Sequence, residues 1–495
     1  MTVRRDSHPP TGRRPGTAPL GVIADDFTGA TDVAVALRRA GLRTLLFFGV
    51  PDDGGARNDG TPPARLPEHQ ALVVALKSRM VPAADAVASS TAALEWLRGQ
   101  GAGQIYFKFC STFDSTPRGN IGPVLDRLAD ATGAGPVPLT PSSPEHLRTQ
   151  YQGCLFVDDL LLGESHMRDH PVTPMTDSYL PRVLRAQTRE PVALIRLATV
   201  RRGETAVRDA LAAAGARGAR YVLADGIEES DLRTLGRAAL GAPLVAGAAG
   251  LAAGLAHAYA EERADGTRGT RPHETGDTHE TVNPQGTANP QGTGDTYETA
   301  DTHETGDTQK TADSAQVPGG PAAVLSGSCS RRTLEQLTAL TDAGSPGHYL
   351  DVVATPDPVA LADTALTWYD SLPAGGAAPV LYSSVAPERL RETQRALGVE
   401  RSAAVLEEAT GLIAAGLVER GVRRLIAAGG ETSGAVVAAL GVTGAHVGTE
   451  AARGVPWIHP LGPRPLALLL KSGNFGGPTL LVDASASPAE RVNHP

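Results

Sequence analysis

The sequence predicts an α/β protein: two parallel-sheet-rich lobes with helices on both faces, joined by a long disordered linker. Three observations carry this reading. Short apolar runs alternate with helix-length amphipathic stretches along nearly the whole chain. Those runs are apolar at successive positions, as in strands covered on both faces, and not at every second position. One segment, 263–319, breaks the pattern and divides the chain.

The first lobe, 19–262, contains expected strands at 20–25, 43–48, 71–76, 104–109, 192–196, 220–224 and 243–246. Helical patterns lie between them at 30–40, 83–98, 120–130, 203–214 and 249–262. The second lobe, 320–485, repeats the alternation, with strands at 322–326, 348–353, 379–383, 423–428, 466–470 and 479–483. Its helices are expected at 331–342, 357–369, 403–419 and 433–440. Residues 1–18 are rich in Arg, Pro and Thr and lack an apolar stretch, so they read as a disordered tail and not a signal peptide.

The dividing segment holds GDTHET, GDTYET, DTHET and GDTQKT, interleaved with two copies of NPQGT. Almost no aliphatic side chain is available there to offset the entropy of ordering, which predicts a low-complexity acidic linker. A calcium-binding solenoid is the sharper alternative, but the regular apolar ladder that such a fold needs is missing.

Composition narrows the function classes. The chain has 495 residues, 41% of them hydrophobic, enough for large cores and too much for a wholly disordered protein. Aromatics are 4%, too few for a base-stacking platform. Net charge is −9, and residues 265–313 supply −7 of it through ten acids against three bases. The remainder is near neutral, which argues against nucleic acid as a partner. No run approaches the 18 or so apolar residues of a membrane span. Cys110, Cys154 and Cys329 are far apart and form no CxxC pair, as in a reduced, cytoplasmic protein.

The first chemical motif is Gly21-Val22-Ile23-Ala24-Asp25-Asp26-Phe27-Thr28-Gly29-Ala30-Thr31-Asp32. A strand ends in two carboxylates, turns through Thr-Gly and enters a helix. Ligands of open α/β sheets bind beyond such strand ends. Asp25 or Asp26 is placed to take a proton from a hydroxyl or to orient a polar substrate; Thr31 or Asp32 reads as a helix cap. The second motif, Lys108 to Gly122, offers Lys108 and Arg118 as cations, with Asp114, Ser115 and Asn120 as hydrogen-bonding groups. That inventory suits a small, anionic, polyhydroxylated ligand, although Asn120 also reads as an N-cap. The third motif, Met167 to Ser178, holds Arg168, His170 and Asp177 on a proline-stiffened loop.

Three turns mark the second lobe: Leu325-Ser326-Gly327-Ser328-Cys329-Ser330, Ala428-Gly429-Gly430-Glu431-Thr432-Ser433-Gly434 and Lys471-Ser472-Gly473-Asn474-Phe475-Gly476-Gly477. Glycines that uncover backbone N–H groups at a helix start suit a phosphate. Together the turns point to a nucleotide. There is no GxxxxGK[ST] and no GxGxxG after a strand, so neither a P-loop nor a dinucleotide fold is expected. No spacing suggests a tightly held transition metal.

Read in order, ADDFTGATD, FDSTPRGNIGPV, RDHPVTPMTDS, LSGSCS, GGETSG and KSGNFG resemble the four-carbon acid sugar kinase family, and within it the 3-oxo-tetronate kinases. The resemblance covers about 20–480 outside the linker. It implies an acid-sugar-binding N-terminal domain and a nucleotide-binding C-terminal domain. The implied reaction transfers the γ-phosphoryl of ATP, with Mg²⁺, to the C4 hydroxyl of the acid. ATP contacts are implied at Ser328, Gly430, Glu431, Thr432, Ser433 and Gly473. Substrate contacts are implied among Asp25, Asp26, Lys108, Asp114, Ser115, Arg118, Asn120 and Arg168, with the base expected to be Asp25 or Asp26. Small acid and ATP are thus the expected partners, with no membrane or nucleic acid, and a homodimer is allowed. The sequence departs from the family at 138–150, where the loop reads longer and Leu147 stands for glycine, and at Ala249, where a hydroxyl is lost. D-threonate or D-erythronate as substrate, or a catalytically silent sugar-acid sensor, are the alternatives these departures leave open.

Overall fold

The computed structural model describes residues 16–51, 66–113, 116–169, 173–268 and 317–486. Most of the linker and the tail, together with Asp114, Ser115 and His170, lie outside the described residues. The strands of the first half are β1 (Leu20–Ala24), β2 (Thr44–Phe48), β3 (Ala71–Ala75), β4 (Gln104–Lys108), β5 (Val137–Thr140), β6 (Arg148–Tyr151), β7 (Cys154–Val157), β8 (Leu160–Leu161), β9 (Val192–Ile195), β10 (Tyr221–Ala224) and β11 (Leu244–Gly247). The second half adds β12 (Ala322–Ser326), β13 (Gly347–Tyr349), β14 (Val380–Tyr382), β15 (Arg424–Ala428), β16 (Gly444–Ala452), β17 (Val455–Pro460) and β18 (Ala467–Lys471).

The expected alternation of strand and helix is present, but the two halves share one sheet. Its order is β13-β14-β12-β15-β18-β17-β16-β2-β3-β1-β4-β11-β5-β10-β9. From β2 to β9 every pairing is parallel. From β13 to β18 the same holds. The join is antiparallel: β17 on β18, β16 on β17, and β16 on β2 through Gly444↔Phe47, Ala445↔Leu46 and His446↔Leu45. A separate small antiparallel sheet is made by β6, β7 and β8.

Strand residues alternate between two cores. Leu20, Val22 and Ala24 of β1 face one, and Ile23 faces the other; Ala71, Val73 and Ala75 of β3 oppose Leu72 and Val74. The first core continues through Val33 and Leu37 to Leu325, Ala427 and Val436, so it spans both halves. At roughly 25 cal/mol per Å² of apolar surface, such two-sided burial is the main stabilising term.

Sequence and structure part at several elements. Residues 479–483 read as a strand but form the helix Leu480–Ser485, which buries Leu480, Leu481 and Ala484. A five-residue apolar run fits either state, and Thr479 settles it by accepting Asp483 N–H through its carbonyl and donating its hydroxyl to the Asp483 carboxylate. The helix expected to end at 262 runs on to Arg268. The hairpin β16–β17 was not expected, because His446, Thr449 and Glu450 interrupt its apolar pattern. No helix among the described residues is long and apolar enough to cross a membrane.

Helices Glu229–Ala239 and Ala249–Arg268 cross with backbone against backbone. A methyl on Gly254 would collide with the Leu232 carbonyl, and one on Gly236 with the Gly254 carbonyl. Gly254→Ala is expected to lower the unfolding free energy by about 2–3 kcal/mol in denaturant titration. An unchanged midpoint would show that the helices separate at little cost.

Candidate active site

The Asp-Asp turn is built by its neighbours. Asp26 caps helix Phe27–Arg39: one carboxylate oxygen accepts Gly29 N–H at 2.9 Å and the other the Thr28 hydroxyl at 2.8 Å. Arg79, just beyond β3, reaches back across the turn. Its Nε and Nη2 donate to the two Asp25 oxygens at 2.9 and 2.7 Å, and Nη2 also reaches Asp26 at 2.6 Å. Lys108, buried at the end of β4, brings its ammonium to 4.0 Å from Asp26. Gly29 must be glycine, because a Cβ there would overlap Lys108 Nζ and Asp26 Oδ1.

Burial works to raise the Asp26 pKa, but Arg79, then Lys108, Thr28 and Gly29 outweigh it and hold the carboxyl below its usual range. Burial also works against the charge on Arg79, and Asp25 and Asp26 hold it cationic.

The second half presents three adjacent turns at the ends of β12, β15 and β18. Gly327 and Ser328 N–H both donate to the Ala428 carbonyl, and Gly429 N–H to the Lys471 carbonyl. Ser330 caps helix Arg331–Asp342 through Thr333 N–H. The Gly473 carbonyl accepts from Ser330 at 2.7 Å, Thr333 at 2.8 Å and Lys471 Nζ at 3.2 Å. Burial, with Arg332 adding to it, pushes Lys471 down to about 7. Gly430, Glu431, Thr432 and Ser433 form the first turn of helix Gly430–Ala439; Thr432 and Ser433 are buried and Ser433 Oγ has no partner. The structure therefore gathers Ser328, Gly430–Ser433 and Gly473 into one cradle.

Between the halves lies a cavity of about 530 Å³. Asp26, Asp32, Arg79 and Lys108 line one side, and Ser472, Asn474, Phe475 and Gly476 the other. The loop Glu145–Arg148 closes one flank. Ion pairs tie the rim. Arg39 donates to Glu450 at 2.7 and 2.6 Å and to Glu145 at 2.7 and 3.0 Å, and Glu145 also pairs with Arg453. Among the described residues no group of three His, Cys, Asp or Glu side chains could hold a metal ion. The cysteines are free.

Of the acid-side residues expected from the sequence, the cavity collects Asp26 and Lys108. Asp25 lies behind, against Arg79. Asn120 instead spends its amide N–H groups on the carbonyls of Ser78 (2.8 Å), Arg79 (3.2 Å) and Val81 (2.8 Å), which fixes the segment carrying Arg79; it makes no side-chain cap. Arg118 is exposed, and Arg168 is exposed with Nη1 on the Gly163 carbonyl at 3.1 Å; neither lines the cavity. Sequence reasoning missed Arg79, Glu145, His146 and Arg453. The one signal for Arg79 was a basic cluster, Lys77-Ser78-Arg79, directly after an apolar strand.

Comparison with known proteins adds to this geometry. Residues 20–255 match a family model described as a sugar-binding N-terminal domain, and 323–481 one described as a nucleotide-binding C-terminal domain. A Cupriavidus necator protein named 3-oxo-tetronate kinase is 43% identical over 468 residues, 94% of this chain and 96% of its own. A Methylobacterium radiotolerans protein of the same name is 45% identical over 463 residues, 92% and 96% of the two chains. A crystal structure from Salmonella typhimurium LT2 superposes with TM-score 0.76 at 37% identity, covering 94% of this chain and 98% of that one. A Haemophilus influenzae structure gives 0.69 at 34% identity, covering 94% and 98%.

Two outcomes are expected here. Leu147 adopts φ +57°, a conformation costly for a branched side chain. Leu147→Gly should therefore raise stability by about 1 kcal/mol, and a lower melting temperature would show the strain is absent. Arg79→Met should cost about 3–5 kcal/mol by stranding buried carboxylate charge. Because the folded Asp26 pKa lies below 3.8, its contribution is present above that pH and lost as pH falls through the folded value. Arg79→Met should thus also flatten the acid-side fall in stability, read from denaturant midpoints below pH 4.

Proposed function

The chain belongs to the four-carbon acid sugar kinase family, resembles its 3-oxo-tetronate kinases and is a phosphotransferase acting on a hydroxyl group; on that premise we propose that it transfers the γ-phosphoryl of ATP to the C4 hydroxyl of 3-oxo-tetronate, giving the 4-phosphate. The observation that carries this reading is the cavity walled by Lys108 and Arg79 on one side and by Ser472, Asn474, Phe475 and Gly476 on the other. Its volume lies in the usual range for a small-molecule site.

In this reading 19–262 is the acid-sugar half and 320–485 the nucleotide half. Lys108, with Arg79 beside it, meets the substrate carboxylate. Asp25 and Asp26 hold those cations in place, and Asp26 faces the bound acid. Asp114 and Ser115, in the turn beyond Lys108, are proposed as further acid contacts. The nucleotide phosphates rest on the backbone and hydroxyls of Ser328, Gly430, Glu431, Thr432, Ser433 and Gly473. The buried, unpartnered Ser433 hydroxyl supports that assignment.

Mg²⁺ arriving with the nucleotide would be held mainly by phosphate oxygens. Glu431 is the carboxylate within the three turns and would be a protein ligand for it. The ion supplies charge neutralisation of the phosphates. What the chain itself does is align the hydroxyl and exclude water between its two walls, which limits wasteful hydrolysis. The three free, separate cysteines support a cytoplasmic setting.

The test is ADP release from MgATP with a panel of four-carbon acids. Turnover is expected to be highest with 3-oxo-tetronate. Lys108→Met is expected to raise KM for the acid by about 10–100-fold and leave KM for ATP within about twofold. Binding of the acid without ADP release would favour a sensor and sink the kinase assignment.

A further inference from the structure

We propose that Asp32 accepts the proton of the substrate's C4 hydroxyl. This deepens the kinase reading above and rests on it. Three carboxylates line the cavity: Asp26, Asp32 and Glu145. Two are already committed. Asp26 receives Gly29 N–H, the Thr28 hydroxyl and Arg79. Glu145 is held by Arg39 and Arg453. Asp25, behind them, has both oxygens on Arg79. Asp32 alone of the cavity acids makes no hydrogen bond among the described residues. Its near neighbour is His146, whose Nε2 stands 3.7 Å away and is itself buried without a hydrogen-bond partner.

Position supports the role. Asp32 follows Thr28 by four residues and Gly29 by three, so it shares the helix face that looks into the cavity. It lies one helical turn beyond Thr28, on the side where Gly454 and Phe475 pack. At Gly454, whose φ is +75°, a Cβ would stand 3.3 Å from the Phe475 ring, 3.4 Å from Asp32 Oδ1 and 3.4 Å from His146 Nε2. Three elements distant in sequence thus converge on one point. Phe475 belongs to the Lys471–Gly477 turn of the nucleotide half and stacks on His146 with centroids 5.0 Å apart and planes 15° apart. Asp32 is therefore the cavity acid held against the phosphate-side turn, whereas Asp26 sits at the cationic end where a substrate carboxylate docks.

Electrostatics agree with the geometry. Burial raises the Asp32 pKa; His146 and Lys108 lower it, and Glu145 and Asp26 raise it again. Arg39 and Arg453 lie on the adjoining rim, with Arg233 and His257 across the small neighbouring cavity. A carboxylate above its ordinary range is a better proton acceptor than one held below it. In the step, the C4 oxygen forms its bond to the γ-phosphorus while the bond from that phosphorus to the β–γ bridging oxygen breaks. The electron pair of that bond leaves with ADP, and the hydroxyl proton passes to Asp32 and then to solvent as product departs.

The experiment is ADP release by the full chain with MgATP and 3-oxo-tetronate across pH, alongside calorimetric ADP binding. Asp32→Asn is expected to lower kcat by about 10²–10³-fold, to leave ADP affinity within about twofold and to abolish the acid limb of the kcat profile. Asp32→Glu should restore at least about tenfold and keep the limb. His146→Gln, which removes the imidazole beside the carboxylate, should move the limb to higher pH, and it decides the matter should Asp32→Asn not fold. A limb that survives Asp32→Asn and vanishes in Asp26→Asn overturns the role of Asp32 and leaves the kinase intact. An unmoved limb in His146→Gln also counts against it. Wild-type protein that phosphorylates no four-carbon acid overturns the kinase reading itself.

Discussion

Three residue pairs between β16 and β2 govern the whole arrangement, because they make one sheet from what would otherwise be two. Each parallel half carries its cavity-side turns at the carboxyl ends of its strands. Crossing β17, β16 and β2 reverses strand direction three times, so the two halves run in opposed senses. In a flat sheet those ends would point away from each other. Sheets twist by roughly 20–25° per strand, and over the six steps from β1 to β15 the rotation accumulates to on the order of 120–150°. The twist thus swings the two sets of strand ends back toward a common space. Antiparallel pairing and twist together explain how Asp26 and Asn474 come to line the same cavity.

Within that space charge is held by charge. A part-buried arginine is tolerated where its field is met, and Asp25 and Asp26 meet that of Arg79 through Nε and Nη2. Asn120 contributes at one remove by gripping the segment 78–81. In the second half the logic is different. There the Gly473 carbonyl draws in three donors, Ser330, Thr333 and Lys471, which ties the glycine-rich turn to its neighbours through neutral acceptors.

Much of this was legible in the sequence where the cause is local. The strand ending in Asp25-Asp26 and the helix that follows it depend on residues within one turn of each other. The three turns of the cradle were readable because each combines a strand end with a helix start. What escaped notice depends on contacts between distant segments. Arg79 meets Asp25 from 54 positions away, and Phe475 meets His146 only after both halves have folded. Asp32 was visible as part of a motif, yet a helix-capping explanation covered it. Only the structure reveals that Asp26 caps the helix and leaves Asp32 unbonded. For Arg118 and Arg168 residue type suggested a ligand, and the structure leaves both exposed and away from the cavity lining.

The shared sheet also changes what the connecting segment has to accomplish. The chain leaves the first half at Arg268 and re-enters at β12, deep in the second half. Backbone pairing, a common core and the rim ion pairs already fasten the halves together. The residues between Arg268 and β12 therefore connect two halves that are already held to each other. A cut between Arg268 and β12 would leave β2 in one piece and β16 in the other, so each piece would carry one edge of the seam.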